Sequence, residues 1–108
     1  MTHAVWAVKI VPAAEADLED IGRWTEGQFG AAQADVYAQI LADALATLIA
    51  GPAASGIRQR PEIGARLYSL HAGRHFIVFR ASGKEERSIV VLRVLHDTMD
   101  LVRHIHKD

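Results

Sequence analysis

The chain has 108 residues, half of them hydrophobic and 23% charged, with a net charge of −1 and no cysteine. This length predicts a single domain over residues 1–108, and the lack of cysteine excludes disulfide and thiolate chemistry, as is typical of a reducing cytoplasm. The N-terminus lacks the apolar segment of a signal peptide, and no apolar run is long enough to cross a membrane. We therefore expect a cytoplasmic protein without a membrane partner.

The small net charge hides an uneven distribution of charge along the chain. Residues 12–50 carry seven acidic side chains and one basic side chain, a net charge of −6. Residues 51–108 carry ten lysines and arginines against six acidic residues, a net charge of +4, and five of the six histidines. Such a layout indicates either two solvated faces of opposite charge or an anionic partner for the second half.

The first half of the chain has the pattern of a strand followed by two helices. Val5–Val11 is short, β-branched and apolar on both faces, which predicts a strand, and Pro12 suits a helix start. Apolar residues then recur with helical spacing up to Gly30, and a second helical run extends to Gly51-Pro52. So short a break between two amphipathic helices predicts an antiparallel helical hairpin.

The second half has the pattern of an antiparallel meander. Residues 51–64 are rich in glycine and proline and are predicted to form a loop, which contains Arg58 and Arg60. Strands are predicted at residues 65–70, 74–81 and 88–96, joined by short turns, and a short helix follows. The predicted fold is α+β, with the order β-α-α-β-β-β and the helical hairpin packed on one face of a small, mainly antiparallel sheet.

The C-terminal stretch raises the question of a metal site. His96, Asp100 and His104 are spaced four apart, and on one continuous helix they would share a face. The run before them is of strand type, however, and His96 continues it. Asp97 is a favourable N-cap for a helix that begins at about Thr98. With His96 outside the helix this set of three ligands is lost.

A second pair of histidines, His71 and His75, flanks a predicted turn. Two histidines are two ligands short of a structural zinc site. We expect neither a metal nor a cofactor.

The chain also resembles a known family over most of its length. The matching segments are "AEADLEDIGRW", "FGAAQADVYAQIL", "LIAGP", "GARLYSL", "GRHFIVFR" and "RVLHDTMDLVRH", which together span roughly residues 8–105. They resemble the ParE branch of the RelE/ParE superfamily, the toxins of bacterial type II toxin–antitoxin pairs. The resemblance implies the fold described above, a ParD-like antitoxin as partner in a hetero-oligomeric complex, and inhibition of DNA gyrase by binding.

An alternative within the same superfamily is a RelE-type endoribonuclease that cuts mRNA on the ribosome. His75 stands where nucleolytic relatives carry an inward arginine, and Asp97 stands where some of them carry tyrosine. The two-residue period of a strand also puts Arg93 and His96 on opposite faces, and no bulge is signalled. We therefore expect a protein that is not an enzyme. A third hypothesis is a degenerate toxin that retains only the binding of its antitoxin. The candidate residues for the nuclease are His96, Arg74, Arg80 and Arg93.

Two features indicate residues that bind the antitoxin or gyrase. Two predicted strands are apolar on both faces, so some apolar surface is expected to await a partner. Residues 56–80 hold five arginines and a single acid, and arginine binds carboxylate and phosphate through its planar fork. No sequence-specific binding of nucleic acid is expected from the toxin alone. The predicted partner-binding residues are Leu18, Trp24, Tyr37, Arg58, Arg60, Arg66, Arg74, His75, Arg80, His96, Met99 and Arg103.

Overall fold

A computed structural model describes residues 5–105 of the chain. None of the helices in this range has the length and apolar character needed to span a bilayer. The elements are β1 (Ala7–Ile10), α1 (Pro12–Phe29), α2 (Ala31–Thr47), a 3₁₀ turn (Leu48–Ala50), β2 (Ile57–Gln59), β3 (Leu67–Ala72), β4 (His75–Ala81), β5 (Ser88–His96) and α3 (Leu101–Ile105).

The five strands form one sheet in the order β1-β5-β4-β3-β2. The first strand, β1, is parallel to β5, and the other pairs are antiparallel. Helices α1 and α2 form an antiparallel hairpin whose inner side packs on one face of the sheet. The predicted α+β class and the helical hairpin are therefore confirmed.

Apolar side chains are buried on both faces of the sheet. One cluster lies between the hairpin and the sheet, where Leu41 and Leu48 meet Ile77 and Phe79. A second cluster lies on the opposite face, where Ile63 and Leu101 cover Val78 and Leu95 together with Leu67. Strand β5 contributes to both clusters, which explains its continuous apolar run. The apolar surplus predicted on β5 is therefore covered by the chain itself.

Gly51 ends the helical hairpin and also allows β1 to approach it. Its φ of +91° is in the left-handed region, which glycine adopts without steric cost. A Cβ atom at this position would lie 2.5 Å from Nε1 of the buried Trp6. The backbone N–H of Trp6 donates to the carbonyl of Ile49 at 2.9 Å, so the two chain segments are in direct contact.

The prediction that residues 51–64 form a loop is wrong in one part. Strand β2 (Ile57–Gln59) pairs with β3 at the edge of the sheet, with Arg58 opposite Ser69. With three residues it is too short to show a two-residue alternation, and the surrounding glycines and prolines indicate a loop. Pairing with β3, rather than its own sequence pattern, makes this segment a strand.

The predicted start of the C-terminal helix is also wrong. The helix begins at Leu101 and not near Thr98, and Asp100 rather than Asp97 caps it, since Asp100 Oδ1 accepts the Arg103 N–H at 3.4 Å. Asp97 still belongs to the sheet region, where its N–H donates to the Arg74 carbonyl at 2.9 Å. As predicted, His96 is outside the helix that carries His104, so the three-ligand stack does not form.

Strand β5 contains a bulge that the sequence does not signal. Val78 is opposite Arg93 and Phe79 is opposite Val91, which leaves Leu92 as the extra residue on β5. The bulge lies before Arg93, so it does not bring Arg93 and His96 to the same face. Their predicted separation is confirmed by the register.

Asp17 on α1 ties the hairpin to this part of β5. Strand β1 pairs only with Ser88–Val91, and beyond that point the Asp17 carboxylate accepts the Val94 N–H at 2.9 Å. The same carboxylate accepts two hydrogen bonds from the Arg93 guanidinium, at 2.8 and 2.9 Å. The hydrogen bond to Asp17 is the main reason why the pKa of Arg93 is raised above its ordinary value. This contact replaces the missing strand partner.

We predict that Asp17→Ala lowers the free energy of unfolding by about 2–3 kcal/mol, because it leaves the Val94 N–H and a half-buried guanidinium without their acceptor. The matched control is Asp20→Ala, which removes the exposed pair between Asp20 and Arg23 on the same helix and should cost less than about 1 kcal/mol. Urea denaturation of both variants measures the difference. Equal losses would contradict the anchoring role of Asp17.

Candidate functional site: a groove between the hairpin and the ends of β4 and β5

An open groove of about 520 Å³ lies where the helical hairpin meets the ends of two central strands. One wall comes from the second half of α1, the other from the start of α2, and the strand ends form the floor. A groove open along one side suits a chain segment better than an enclosed small molecule. It is lined by Asp20, Ile21, Trp24, Thr25, Phe29, Gln33, Tyr37, Arg74, His75 and His96.

Two aromatic side chains form an apolar wall of the groove. Trp24 is 62% exposed and Phe29 is 64% exposed, although both are large apolar residues. Their rings pack edge to face with centroids 6.0 Å apart, which fixes them against each other outside the core. Exposed apolar surface of this kind, in a concave site with a polar floor, marks an interaction site.

The floor is a hydrogen-bonded cluster of Tyr37, His75 and His96. The Tyr37 hydroxyl accepts the Arg74 N–H at 2.8 Å and lies 2.5 Å from Nδ1 of His75. Because the Arg74 N–H occupies an acceptor position on the hydroxyl oxygen, we assign the Tyr37 hydrogen as the donor to Nδ1. This places the proton of neutral His75 on Nε2.

His96 extends the cluster towards the end of β5. It is opposite His75 in the strand register, and the two rings meet edge to face with centroids 5.3 Å apart. Its Nδ1 accepts the Thr98 N–H at 3.3 Å and lies 2.8 Å from the Thr98 hydroxyl oxygen. Neutral His96 therefore also carries its proton on Nε2, and each imidazole keeps one N–H donor for a partner.

Gly73 makes the approach of Tyr37 to the floor possible. It lies in the β3–β4 turn with a φ of +59°, and a Cβ atom there would lie 2.6 Å from the Tyr37 ring. Any other residue would displace Tyr37 or the turn. The hydrogen bonds from Tyr37 to Arg74 and His75 depend on this contact.

The electrostatics of the floor favour a neutral His75. Burial lowers the pKa of His75 below its ordinary value, and the neighbouring His96 lowers it further, while Asp97 and Asp17 act in the opposite direction. Asp97, by contrast, is held in its charged form. Its hydrogen bond with His71, at 3.1 Å, is the main cause that lowers the pKa of the Asp97 carboxyl. At neutral pH the floor thus holds a neutral imidazole at His75, while the ionised carboxylate of Asp97 lies next to it and outside the groove lining.

The sheet divides the twelve predicted partner-binding residues into separate groups. Leu18 is inside the hairpin, packed against the main core and not in the groove wall. Five of the predicted residues line the groove, namely Trp24, Tyr37, Arg74, His75 and His96. Those that lie outside the groove are Arg58, Arg60, Arg66, Arg80, Met99 and Arg103.

The four residues of the predicted nuclease site are not brought together. Arg74 and His96 share the groove, whereas Arg80 is opposite Leu67 and Val90 on the other face of the sheet. The Nε and Nη2 groups of Arg93 both donate to the Asp17 carboxylate, so one edge of its guanidinium is engaged there. Among residues 5–105, no group of three or more His, Cys, Asp or Glu side chains is arranged to hold a metal ion.

Arg60 on the opposite face has a structural role. Its Nε donates to the Ser69 hydroxyl at 2.7 Å, and its guanidinium lies 5.0 Å from the centre of the Phe76 ring. A weaker contact of 3.5 Å joins it to Glu62. These contacts hold the segment after β2 over the second apolar cluster.

Several groove residues were missed by reasoning from the sequence. Phe29 was interpreted only as the end of a helix. Thr98, which is outside the groove lining but contacts His96, was interpreted as the start of the C-terminal helix. The helical period gives no signal for Phe29, because it lies four residues after the buried Thr25 and so on the same side of α1. The other missed residues are Asp20, Ile21, Thr25 and Gln33.

Comparison with known proteins identifies the class to which this fold and groove belong. The family model described as the ParE toxin of the type II toxin–antitoxin system, parDE, matches residues 8–101. Over 94 residues the chain is 37% identical to Toxin ParE1 of Mycobacterium tuberculosis, in both strain CDC 1551 / Oshkosh and strain ATCC 25618 / H37Rv. The alignment covers 87% of this chain and 92% of that protein.

Two solved structures share the fold at lower sequence identity. The chromosomal ParDE TA system from P. aeruginosa matches with a TM-score of 0.69 and 23% identity, over 88% of this chain and 98% of that chain. The toxin–antitoxin complex RelBE2 from Mycobacterium tuberculosis matches with a TM-score of 0.60 and 20% identity, over 85% and 98%. The protein is thus the toxin of a type II toxin–antitoxin pair. More narrowly, the chain belongs to the ParE toxin family.

We predict that the lowered pKa of His75 makes the protein less stable as the pH falls from 6.5 to the pKa of His75 in the folded state. In this window the unfolded chain binds a proton that the folded protein does not bind, so the free energy of unfolding decreases with decreasing pH. His75→Gln should reduce the change in urea midpoint between pH 7.5 and pH 5. An NMR titration of the His75 ring with a pKa at or above 6.5 would contradict this prediction.

Proposed function

We propose that this ParE-family toxin inhibits DNA gyrase by binding to it, and that a ParD-like antitoxin neutralises it in a hetero-oligomeric complex. Inhibition would trap gyrase on cleaved DNA and block replication. The observation that carries the proposal is the aromatic-walled groove in a chain that belongs to the ParE family. The toxin acts by binding alone, without catalytic chemistry of its own.

The groove is suited to the amphipathic helix of an antitoxin. Trp24 and Phe29 offer an exposed apolar wall that a helix can cover with residues three and four apart. Arg74 at the floor is exposed. Within the 5–105 range its side chain has no hydrogen bond or salt bridge and interacts with the Asp97 carboxylate only by longer-range attraction, so it can receive an acidic side chain. The solved relatives are a ParDE system and a RelBE2 toxin–antitoxin complex, which supports an antitoxin as partner here.

The same groove is proposed to contact gyrase. His75 and His96 each keep one ring N–H available, and Trp24 and Phe29 provide aromatic anchors of the kind that dominate protein interfaces. An antitoxin helix in the groove would cover these residues. Neutralisation then follows from competition, because both partners cannot occupy one surface.

The arrangement of the cations supports binding over catalysis. Cleavage of RNA needs an acid–base group together with cations that stabilise the charge on the phosphate. The Arg93 guanidinium is hydrogen-bonded to Asp17, and Arg80 is on the opposite face. Arg74 is therefore the one guanidinium among the groove residues of the described range.

A ribonuclease is the second candidate. It is favoured by the cluster of Tyr37, His75 and His96 beside Arg74, since these side chains include acid–base groups within contact of one another. The fold likeness to RelBE2 is compatible with ribonuclease activity.

A third candidate is a toxin that retains only antitoxin binding and has a regulatory role. If this hypothesis is correct, induction of the protein does not slow growth.

We predict that the double variant Trp24→Ala with Phe29→Ala binds the antitoxin at least about 30-fold more weakly, the effect of losing about 2 kcal/mol at a hot spot. The fold should persist, because both side chains are largely exposed. The matched control is Val36→Ala with Ile40→Ala, which removes exposed apolar residues of α2 that do not line the groove. Calorimetric titration measures both affinities, and a similar loss in the control would contradict the groove as the binding site.

We predict that His96→Ala weakens gyrase inhibition by roughly tenfold or more, the effect of removing an interface contact worth about 1.4 kcal/mol. The assay combines purified toxin, gyrase, DNA and ATP, and it measures cleaved DNA and loss of supercoiling. His71→Ala on the opposite face is the control and should inhibit like the wild type, with circular dichroism confirming that both variants fold. Normal gyrase activity beside cleaved mRNA in a translation assay would favour the ribonuclease instead.

A further inference from the structure

The sheet separates the charges of the chain onto two sides of the molecule. Helices α1 and α2 carry all seven acids of residues 12–50 and one arginine, and they cover one face of the sheet. The other face carries basic residues from three different strands. The uneven charge along the sequence thus becomes an acidic helical side and a basic sheet side.

The strand register shows which cations share the face opposite the hairpin. Lys9 on β1 is opposite Val90, and Val90 is opposite Arg80, so Lys9 and Arg80 project from the same side. Arg58 on the edge strand is opposite Ser69, which is opposite Val78, two residues from Arg80 and on the same side.

Arg66 lies at the margin of this group, next to the end of β4, where its carbonyl accepts the Ala81 N–H at 3.1 Å. Its φ of +62° takes it out of the strand alternation, so it is included for its position beside Arg80 and not by register. All four cations are exposed. We define the basic face as Lys9, Arg58, Arg66 and Arg80.

The cations of the basic face are not neutralised within residues 5–105. None of the four side chains has a hydrogen bond or an ion pair in this range. The acids that follow β2 and β5 are already engaged, Glu62 with Arg60, Asp97 with His71 and Asp100 as a helix cap. The β4–β5 loop contains two acids and two bases, so it does not offset the four cations. Asp97 and Asp100 keep their negative charge, but the cations of this half of the chain outnumber its acids, so the face presents a net positive field.

We propose that the basic face binds the phosphate backbone of a nucleic-acid duplex. Two strand spacings separate Lys9 from Arg80, and two more separate Arg80 from Arg58, so the face spans roughly 20 Å. A duplex carries one charge per about 1.7 Å of its axis, so several phosphates fall within reach of these long side chains. Such contacts need charge alone and carry no sequence information.

The surroundings of the basic face distinguish a duplex from other anionic partners. No strand of the described chain exposes a large apolar residue, and the exposed apolar side chains on this side, Met99 and Val102, are confined to α3 and the turn before it. An acidic peptide folding onto the strands would need apolar contacts there as well. A single strand needs exposed rings on which bases stack, but Phe76, the aromatic residue that projects from this side of β4, has the Arg60 guanidinium over its ring. Charge without apolar or stacking surface fits a duplex backbone.

This binding goes beyond the proposed function, because it requires neither gyrase nor the antitoxin. The acidic hairpin would point away from the phosphates, and the groove lies on that hairpin side of the sheet. The toxin would therefore hold a duplex on one face while its groove remains open to a protein partner.

The test is fluorescence anisotropy of the purified full chain at 50 mM and 200 mM salt. The probes are a 24-base-pair DNA duplex, an RNA duplex of the same length, a single-stranded DNA and a poly-glutamate peptide. We expect at least one duplex to bind, with an affinity that falls about 100-fold between the two salt concentrations, since about four phosphate contacts give a logarithmic slope near −3.6. The two duplex arms identify whether DNA or RNA is preferred.

Charge variants locate the site on the protein. Arg58→Gln with Arg80→Gln should bind the duplex at least tenfold more weakly at 50 mM salt and should halve the slope, because half of the contacts are lost. The control, Arg23→Gln with Gln28→Glu, changes the net charge equally on α1 and should bind within twofold of the wild type. Trp24→Ala should keep duplex binding, which separates this proposal from the one for the groove.

Four results would overturn the proposal. They are the absence of duplex binding by the wild type at 50 mM salt, binding that does not depend on salt, binding of only the single strand or only the peptide, and equal losses in the basic-face variant and its control. Circular dichroism of each variant ensures that a loss of binding is not a loss of fold.

Discussion

Strand β5 is buried on both faces, and the positions of most other elements depend on that burial. Ile89 and Val91 pack under the helical hairpin, while Leu95 packs under α3 and the segment after β2. Each such side chain contributes roughly 1.5–3 kcal/mol when it is removed from water. Both β1 and β4 pair with this strand, and its last residue, His96, forms part of the groove floor.

The groove lies where β1 no longer follows β5 to its end. Strand β1 stops at Ile10, the chain turns into α1, and Asp17 takes over the edge of β5 with three hydrogen bonds. Beyond this contact the second half of α1 overhangs the strand ends and leaves room beneath Trp24 and Phe29. An ion pair that stabilises the fold thus also withdraws Arg93 from the chemistry of the site.

The two faces of the sheet give this small toxin two surfaces of different character. The hairpin side combines acidic helices with an aromatic-walled groove and suits a protein segment. The opposite side combines free cations with a closed apolar cluster and suits a charged backbone. A sheet that is covered by helices on one face and only partly covered on the other can present a groove and a cationic surface in one small chain.

Much of the fold could be predicted from the sequence, but less of the site. The limits of α1, the start of α2, the glycine that ends the helical hairpin and the full extent of β5 follow from local periodicity and turn residues, whereas the change from α2 to a 3₁₀ turn after Thr47 does not. Trp24, Tyr37, His75 and His96 were expected to bind partners and they do line one groove. Strand β2, the Leu92 bulge and the cap of α3 were missed, because each depends on a neighbouring segment and not on its own pattern.

The sequence by itself determined the order and type of the long elements and the unequal charge of the two halves, since periodicity, helix-ending residues and composition are local properties. Only the tertiary structure decided that Asp17 binds Arg93, that His75 meets Tyr37 and His96, and that the arginines divide between two faces. The reason is physical. Strand register, one bulge and the angle of the hairpin decide which residues share a face, and these arise from packing between segments far apart in sequence.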